Sequence, residues 1–270
     1  LLIKRYQGGA VLAKPLIGIQ LYSLRDQTEI DFLGTLEKAA EIGYQTVEFA
    51  GYYKTPAIEV KKKLAELKLA PSSAHVPLNF ENTKRLESDL AGQIDYAKEI
   101  GIAYIVTPWV PLPVQPTMDD VLHLTEVLTK CGQMVKDAGM QYSYHNHEFD
   151  FKLVEDKPVI NHILEQVPAE LLVAEFDLGW IYLAGYNPLE YLARYQGRSP
   201  LVHFKDFADG RKDVEVGKGQ LGYDELLDKL EPLGVTHIYV EQEQFPENSL
   251  VSAKNNFEFF KQRGYGLPQS

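Results

Sequence analysis

The feature that most constrains this chain is a phrase that returns where helical stretches end: EIGYQTVEF at 41–49, EIGIAYIVT at 99–107, DAGMQYSYH at 137–145 and PLGVTHIYV at 232–240. Each copy reads as a helix end, a glycine that stops the helix in the left-handed region, and a β-rich run. The copies have no fixed period, so they mark a repeated junction and not a solenoid. Around them, β-rich runs at 17–21, 45–49, 70–75, 103–107, 141–146, 171–177, 201–204 and 237–241 alternate with amphipathic stretches near 29–42, 56–67, 83–100, 118–138, 157–167, 188–195, 223–230 and 249–263. Strands that alternate with helices of this length predict parallel βαβ units. Eight such units in 270 residues match one (β/α)8 barrel, which closes this number of strands more naturally than an open doubly wound sheet.

Composition then narrows the partners. The chain carries 38 acidic against 27 basic side chains, a formal net charge of -11, which repels phosphodiester backbones and argues against nucleic acid. No stretch approaches the roughly 18 apolar residues of a membrane span, so a membrane partner is not expected. The single cysteine, Cys131, falls in a helical pattern and reads as a buried side chain, leaving the compartment open between cytoplasm and periplasm. Residues 1–13, LLIKRYQGGAVLA, are apolar and basic and fit no barrel element. They read as an extension, either trimmed or the tail of an export signal, with the barrel running over 14–270.

Most of the strands begin apolar and end in residues with metal-ligand or acid/base chemistry. The first runs into Gln20 and Tyr22, the second into Glu48, the third into His75 and the fourth into Trp109. The fifth runs into His145, Asn146, His147 and Glu148, the sixth into Glu175 and Asp177 with Trp180 beyond, the seventh into His203, Lys205 and Asp206, and the eighth into Glu241 and Glu243. In a (β/α)8 barrel these ends converge on one mouth. Three carboxylates and an imidazole from strands five to eight, Glu148, Asp177, His203 and Glu241, suit one divalent ion such as Mn2+, Mg2+, Co2+ or Zn2+. Packed together without a cation they would repel. Strand parity, however, puts His145 and His147 on one face and Asn146 and Glu148 on the other.

With GIQLYSLRD at 18–26, GYQTVEFAG at 43–51, AHVP at 74–77, YHNHEFDF at 144–151, FDLGW at 176–180, HFKD at 203–206, VGKGQLGY at 216–223 and YVEQE at 239–243, the chain resembles the xylose isomerase-like barrels. Within them it resembles the sugar phosphate isomerase/epimerase group that includes ketose 3-epimerases and inosose dehydratases. The resemblance implies a metal set of Glu148, Asp177, His203 and Glu241, with Glu148 and Glu241 shuttling a proton. Trp180 departs from the histidine that 3-epimerases carry a turn after the strand-six aspartate.

The chemistry so implied is proton abstraction beside a carbonyl, with a metal stabilising the enediolate and the proton returned to give an epimer or an isomer. His75, His145, His147 and Lys205 are candidate contacts to substrate hydroxyls, and Trp109 and Trp180 candidate walls against the ring. A small sugar, cyclitol or keto-glycoside is the expected partner, and a homo-oligomer stays open. The competing reading is a lyase or dehydratase that expels a β-substituent from the same enolate. A non-catalytic sugar-binding barrel and an endonuclease IV-like nuclease rank below it. The glycine-rich VGKGQLG at 216–222 invites a phosphate-binding reading, but it lacks the full P-loop spacing and a tight turn before the seventh helix is the better explanation of the glycines.

Overall fold

In the computed structural model, which describes residues 14–266, eight parallel strands close into a barrel. They are β1 (Leu16–Gln20), β2 (Thr46–Phe49), β3 (Ala70–His75), β4 (Tyr104–Thr107), β5 (Gln141–His145), β6 (Val173–Asp177), β7 (Leu201–Phe204) and β8 (His237–Val240). Each pairs with its neighbour in sequence, and β8 closes on β1 with Ile17 opposite Ile238. The extension at 1–13 lies outside the described residues.

Parallel strands wrapped by helices are buried on both faces, which is why these runs read as nearly continuous apolar sequence. The outward residues, among them Ile17, Ile19, Val47, Phe49, Ile105 and Phe204, pack against the helices in one continuous core. Cys131 is buried in the helix Met118–Asp137, where loss of hydration pushes its thiol up to about 11.

The lumen is filled differently from bottom to top. At the bottom Val106, Leu201 and Tyr239 form a small apolar plug with Tyr104 against it. Tyr239 fits because Gly18 faces it: a Cβ there would stand 2.7 Å from the Tyr239 ring and from Thr46. Above the plug come hydroxyls, Thr46 against Ser72 and Tyr239 on Ser72 at 2.9 Å. Ser73 then donates to Glu48, which begins a stack of buried imidazoles and carboxylates reaching to the C-terminal strand ends.

Between β7 and the helix Tyr223–Leu230 the chain makes a hairpin, Asp206–Ala208 against Lys212–Val214, that the sequence pattern did not reveal. A six-residue helix, Leu178–Leu183, follows β6 directly and lies against the end of β7. Gly179 makes that approach possible, since any Cβ would collide with the Lys205 carbonyl.

Candidate active site

The polar stack divides into a floor and a mouth. On the floor, Glu48 from β2 and Glu175 from β6 face His75, His145 and His203. His203 Nε2 lies 2.6 Å from Glu48 Oε2, and His75 Nε2 lies 3.1 Å from the same oxygen and 2.7 Å from Glu175 Oε2. His145 Nδ1 stands 3.2 Å from Glu175 Oε2, and Gln20 donates to Glu48 at 2.8 Å. At the mouth, His203 Nδ1 turns to Glu241 Oε2 at 2.9 Å, and Lys205 Nζ approaches the same carboxylate at 3.9 Å while pairing closely with Glu243. Asp177 caps the helix Leu178–Leu183: Oδ1 accepts the Trp180 N–H at 2.9 Å, and Oδ2 is buried without a partner.

Two groups of side chains bring potential ligand atoms within 4.8 Å of one another: His75, His145, Glu175 and His203 on the floor, and His145, Asp177, His203 and Glu241 at the mouth. They share two histidines, and a neutral imidazole has only one free lone pair, so one ion site excludes the other through the same rings. Three features fit a cation to the mouth group. The unpartnered Asp177 oxygen belongs to it, as unpartnered Glu175 Oε1 belongs to the floor; its hard oxygens and imidazoles are the donors that divalent ions prefer; and its carboxylate Glu241 lines an open cavity with His145, which Glu175 does not. The floor then becomes the support, because the ring nitrogens facing down already meet Glu48 and Glu175. Such a carboxylate behind a ligating histidine fixes its tautomer and orientation.

The electrostatics separate the same two layers. Burial alone would pull the His75 imidazole down, but Glu48 and Glu175 overcome it and push it up to about 10. His203 is likewise raised against burial by Glu175 and Glu48. Glu48 is held well below its ordinary range because His75 and His203 outweigh its burial. At the mouth, burial pushes the Asp177 carboxyl up to about 7 against the pull of Lys205, whereas Glu241, beside Lys205 and His203, stays well below its ordinary range despite burial. His147 is brought down to about 4, chiefly by burial, and is neutral at pH 7.

A cavity of about 470 Å³ opens above the mouth group. His75, Trp109, His145, His147 and Glu241, all singled out from the sequence, line it. Trp180 stands behind them, 5.7 Å from the His147 ring and 5.1 Å from Lys205 Nζ. Lys205 is turned to Glu241 and Glu243 and not to Asp206, and Tyr223 holds its backbone from both sides.

Glu148 lies apart from the other three residues of the set read from the sequence. It opens the 3-10 turn Glu148–Phe151, and its carboxylate pairs with Arg211 at the tip of the hairpin, outside both ligand groups. The reason is local. His145 ends β5 facing the lumen, Asn146 turns sideways to bond Asp177, accepting its N–H at 3.1 Å and donating to its carbonyl at 3.3 Å, and Asp150 caps the turn by accepting the His147 N–H at 2.7 Å. His145 therefore stands where the glutamate was expected. Sequence reasoning read His145 as a substrate contact and gave no role to Glu48 and Glu175, the carboxylates beneath the set. Parity carried the signal for Glu175, which lies two residues before Asp177 on the same face.

The glycine-rich loop is also decided. Asp206 Oδ2 accepts the N–H groups of Gly217 at 2.9 Å and Gly219 at 3.0 Å, and Oδ1 those of Phe207 at 2.9 Å and Leu221 at 3.3 Å. A Cβ on Gly219 would collide with this carboxylate, so the glycine makes room for a side chain of the protein itself.

The family profile of xylose isomerase-like TIM barrels matches residues 36–263. The chain belongs to that family. Among curated relatives, an inosose dehydratase of Geobacillus kaustophilus is 25% identical over 188 residues, which is 63% of this chain and 60% of the relative's length. Among solved structures, a sugar phosphate isomerase/epimerase of Parabacteroides distasonis superposes with a TM-score of 0.81 at 22% identity, covering 94% of this chain and 96% of that one. The IOLI protein with a binding zinc atom gives a TM-score of 0.74 at 14% identity, over 92% of this chain and 96% of the other. At these identities the two structures establish the shared fold.

Proposed function

We propose that this barrel is a divalent-metal-dependent enzyme that removes a proton beside a carbonyl of a sugar-like substrate and expels an oxygen substituent from the neighbouring carbon. The observation that carries the reading is the convergence of His145, Asp177, His203 and Glu241 beneath an open cavity, with one buried Asp177 oxygen left unpartnered. A divalent cation held by these four side chains would supply positive charge where an enolate oxygen develops.

The chain's own groups do the rest. Glu241, kept ionised by Lys205 and His203, and His147, kept neutral, both line the cavity and are the groups able to take and return a proton there. In the elimination, the C–H electron pair becomes the new π bond. The C–O pair leaves with the oxygen, which takes the proton that Glu241 or His147 has removed from carbon, so that group returns to its starting state. Elimination is favoured over epimerisation because Glu148, the second glutamate of a two-carboxylate shuttle, is held by Arg211, and because the matched curated relative is a dehydratase.

The test is incubation of metal-reconstituted protein with a panel of inososes, ketoses and keto-glycosides in D2O. The expected result is deuterium exchange at the carbon beside the carbonyl together with a product lighter by water or an aglycone. Exchange with unchanged mass would make the protein an isomerase or epimerase. No metal-dependent exchange with any substrate would end the reading.

A further inference from the structure

We propose that the mouth takes an uncharged glycoside, a sugar-like ring carrying a second ring or aglycone, and not a phosphate ester. The inference rests on the reading that the ligand is sugar-like and narrows it to a substrate class. Its first support is the fate of the backbone amides after β7. In barrels this region commonly cradles phosphate with loop N–H groups. Here the Asp206 carboxylate accepts those of Phe207, Gly217, Gly219 and Leu221, so an internal anion holds the place that a phosphate dianion would take.

The second support is the state of the cations around the mouth. Lys205 is held between Glu243 and Glu241, and Arg211 pairs with Glu148. Arg25 donates from Nη1 to the Tyr22 carbonyl at 3.0 Å and from Nη2 to the Glu243 carbonyl at 2.9 Å. Glu241 and Glu243 themselves line the cavity. A phosphate ester, carrying a charge of about -1.5 to -2, would enter against Glu241 and Glu243 in the metal-free protein, and with a metal on Glu241 it would still have to break the ion pairs of Lys205 or Arg211 to gain a side-chain cation.

The third support is the rim. Tyr22 and Trp109 are 45% and 46% exposed, and both line this one cavity. Isolated exposed apolar side chains are ordinary, but two large aromatics on the lip of a polar pocket form a surface that a ligand covers. Pro77 and Pro108 extend that apolar shoulder, while His145, His147 and Glu241 lie on the polar side. A ring that reaches the polar groups leaves the aromatic lip for whatever is attached to it. The flat faces of Trp and Tyr suit the C–H face of a second sugar or an aromatic aglycone.

The experiment is calorimetric titration of the full chain, with and without Mn2+, using p-nitrophenyl glycosides of glucose, galactose and xylose, the free sugars, and glucose and galactose 6-phosphates. At least one glycoside should bind about tenfold more tightly than its parent sugar, the gain expected of good aromatic contacts. Neither phosphate ester should bind more tightly than its parent. Trp109→Ala should abolish the glycoside advantage, and Trp109→Tyr should keep most of it. A phosphate ester that outbinds its parent, a free sugar that equals its glycoside, or no glycoside binding would overturn the proposal. Failure of the metal-dependent chemistry would appear separately, as missing metal affinity or deuterium exchange, which this affinity ranking does not measure.

Discussion

The floor and the mouth of the lumen are built from the same residue types and solve opposite problems. On the floor, Glu48 receives Gln20, Ser73, His75 and His203, so a buried carboxylate is surrounded by donors and cations. At the mouth, Asp177 keeps a buried oxygen without a partner, and burial holds its carboxyl up to about 7. A buried charge that is fully paired belongs to the fold, whereas one left in need belongs to a ligand. Glu175 on the floor also keeps one buried oxygen, Oε1, without a partner, so the contrast lies between Glu48 and Asp177, and the open cavity beside Glu241 and His145 is what turns the mouth group toward a ligand.

The largest effect that could break this comparison is on turnover. With an established substrate, Glu241→Gln should lower kcat by about a hundredfold or more, the usual loss for a positioned acid/base group. Asp177→Ala should weaken metal affinity at least as severely and be partly rescued by excess metal. Near-normal kcat in Glu241→Gln would pass the proton-transfer role to His147.

Metal affinity and folding free energy sharpen the difference between the layers. Glu48→Gln should reduce metal affinity by about ten- to a hundredfold, through the orientation of His203 and not through ligation. The same change should cost the metal-free protein on the order of 3–5 kcal/mol, because two imidazolium groups lose a buried counter-charge. Asp177→Asn, which can still accept the Trp180 N–H, should not lower metal-free stability by more than about 1 kcal/mol at any pH. Denaturant titrations of both variants check the pair. Equal losses would erase the distinction between floor and mouth.

The pH dependence of the metal-free protein gives an effect of similar size. The Asp177 carboxyl stands at about 7 in the fold against an ordinary value near 3.8, so between these limits the native state holds the proton that the unfolded chain releases. Its contribution is complete below about pH 4 and is lost as the pH rises through about 7. Stability curves over pH 4–8 should therefore fall more steeply for the wild-type chain than for Asp177→Asn, and saturating metal should remove the difference. A parallel pair of curves would count against the raised Asp177.

The smallest effect concerns Glu148. Its partner Arg211 is more than half exposed, and exposed ion pairs contribute little to stability. Glu148→Gln should change melting and kcat only slightly. A hundredfold loss of kcat would instead mean that Glu148 leaves Arg211 during turnover and serves the site.

The barrel was legible because its signal is local: a glycine stop and a β-rich run recur along the chain, and the strand ends turn polar on schedule. The mouth residues from β6 to β8 were legible for the same reason, as each lies at or just beyond a strand end. Glu148 was not, because parity stops applying where β5 gives way to a 3-10 turn, a change set by Asp150 and by Asn146 reaching across to Asp177. Glu48 and Glu175 were visible as inward-facing residues, but their partnership with His75 and His203 joins positions 100 and more apart, as in His75–Glu175 and His203–Glu48. The role of Asp206 was hidden although its loop partners lie only 11 to 15 residues on, since nothing in VGKGQLG announces that the first side chain of the hairpin will take up its amides.

The hairpin at 206–214 is anchored unequally, and this gives it a direction of release. At its base Asp206 is buried and bound to four backbone N–H groups. At its tip, Gly210 and Arg211 turn the chain in the left-handed region, and the Arg211 side chain reaches Glu148 through solvent. Ionic strength screens the second attachment and barely reaches the first. Added salt should therefore loosen the tip while the base stays closed, and amide hydrogen exchange should accelerate at 209–212 well before it does at 217–221.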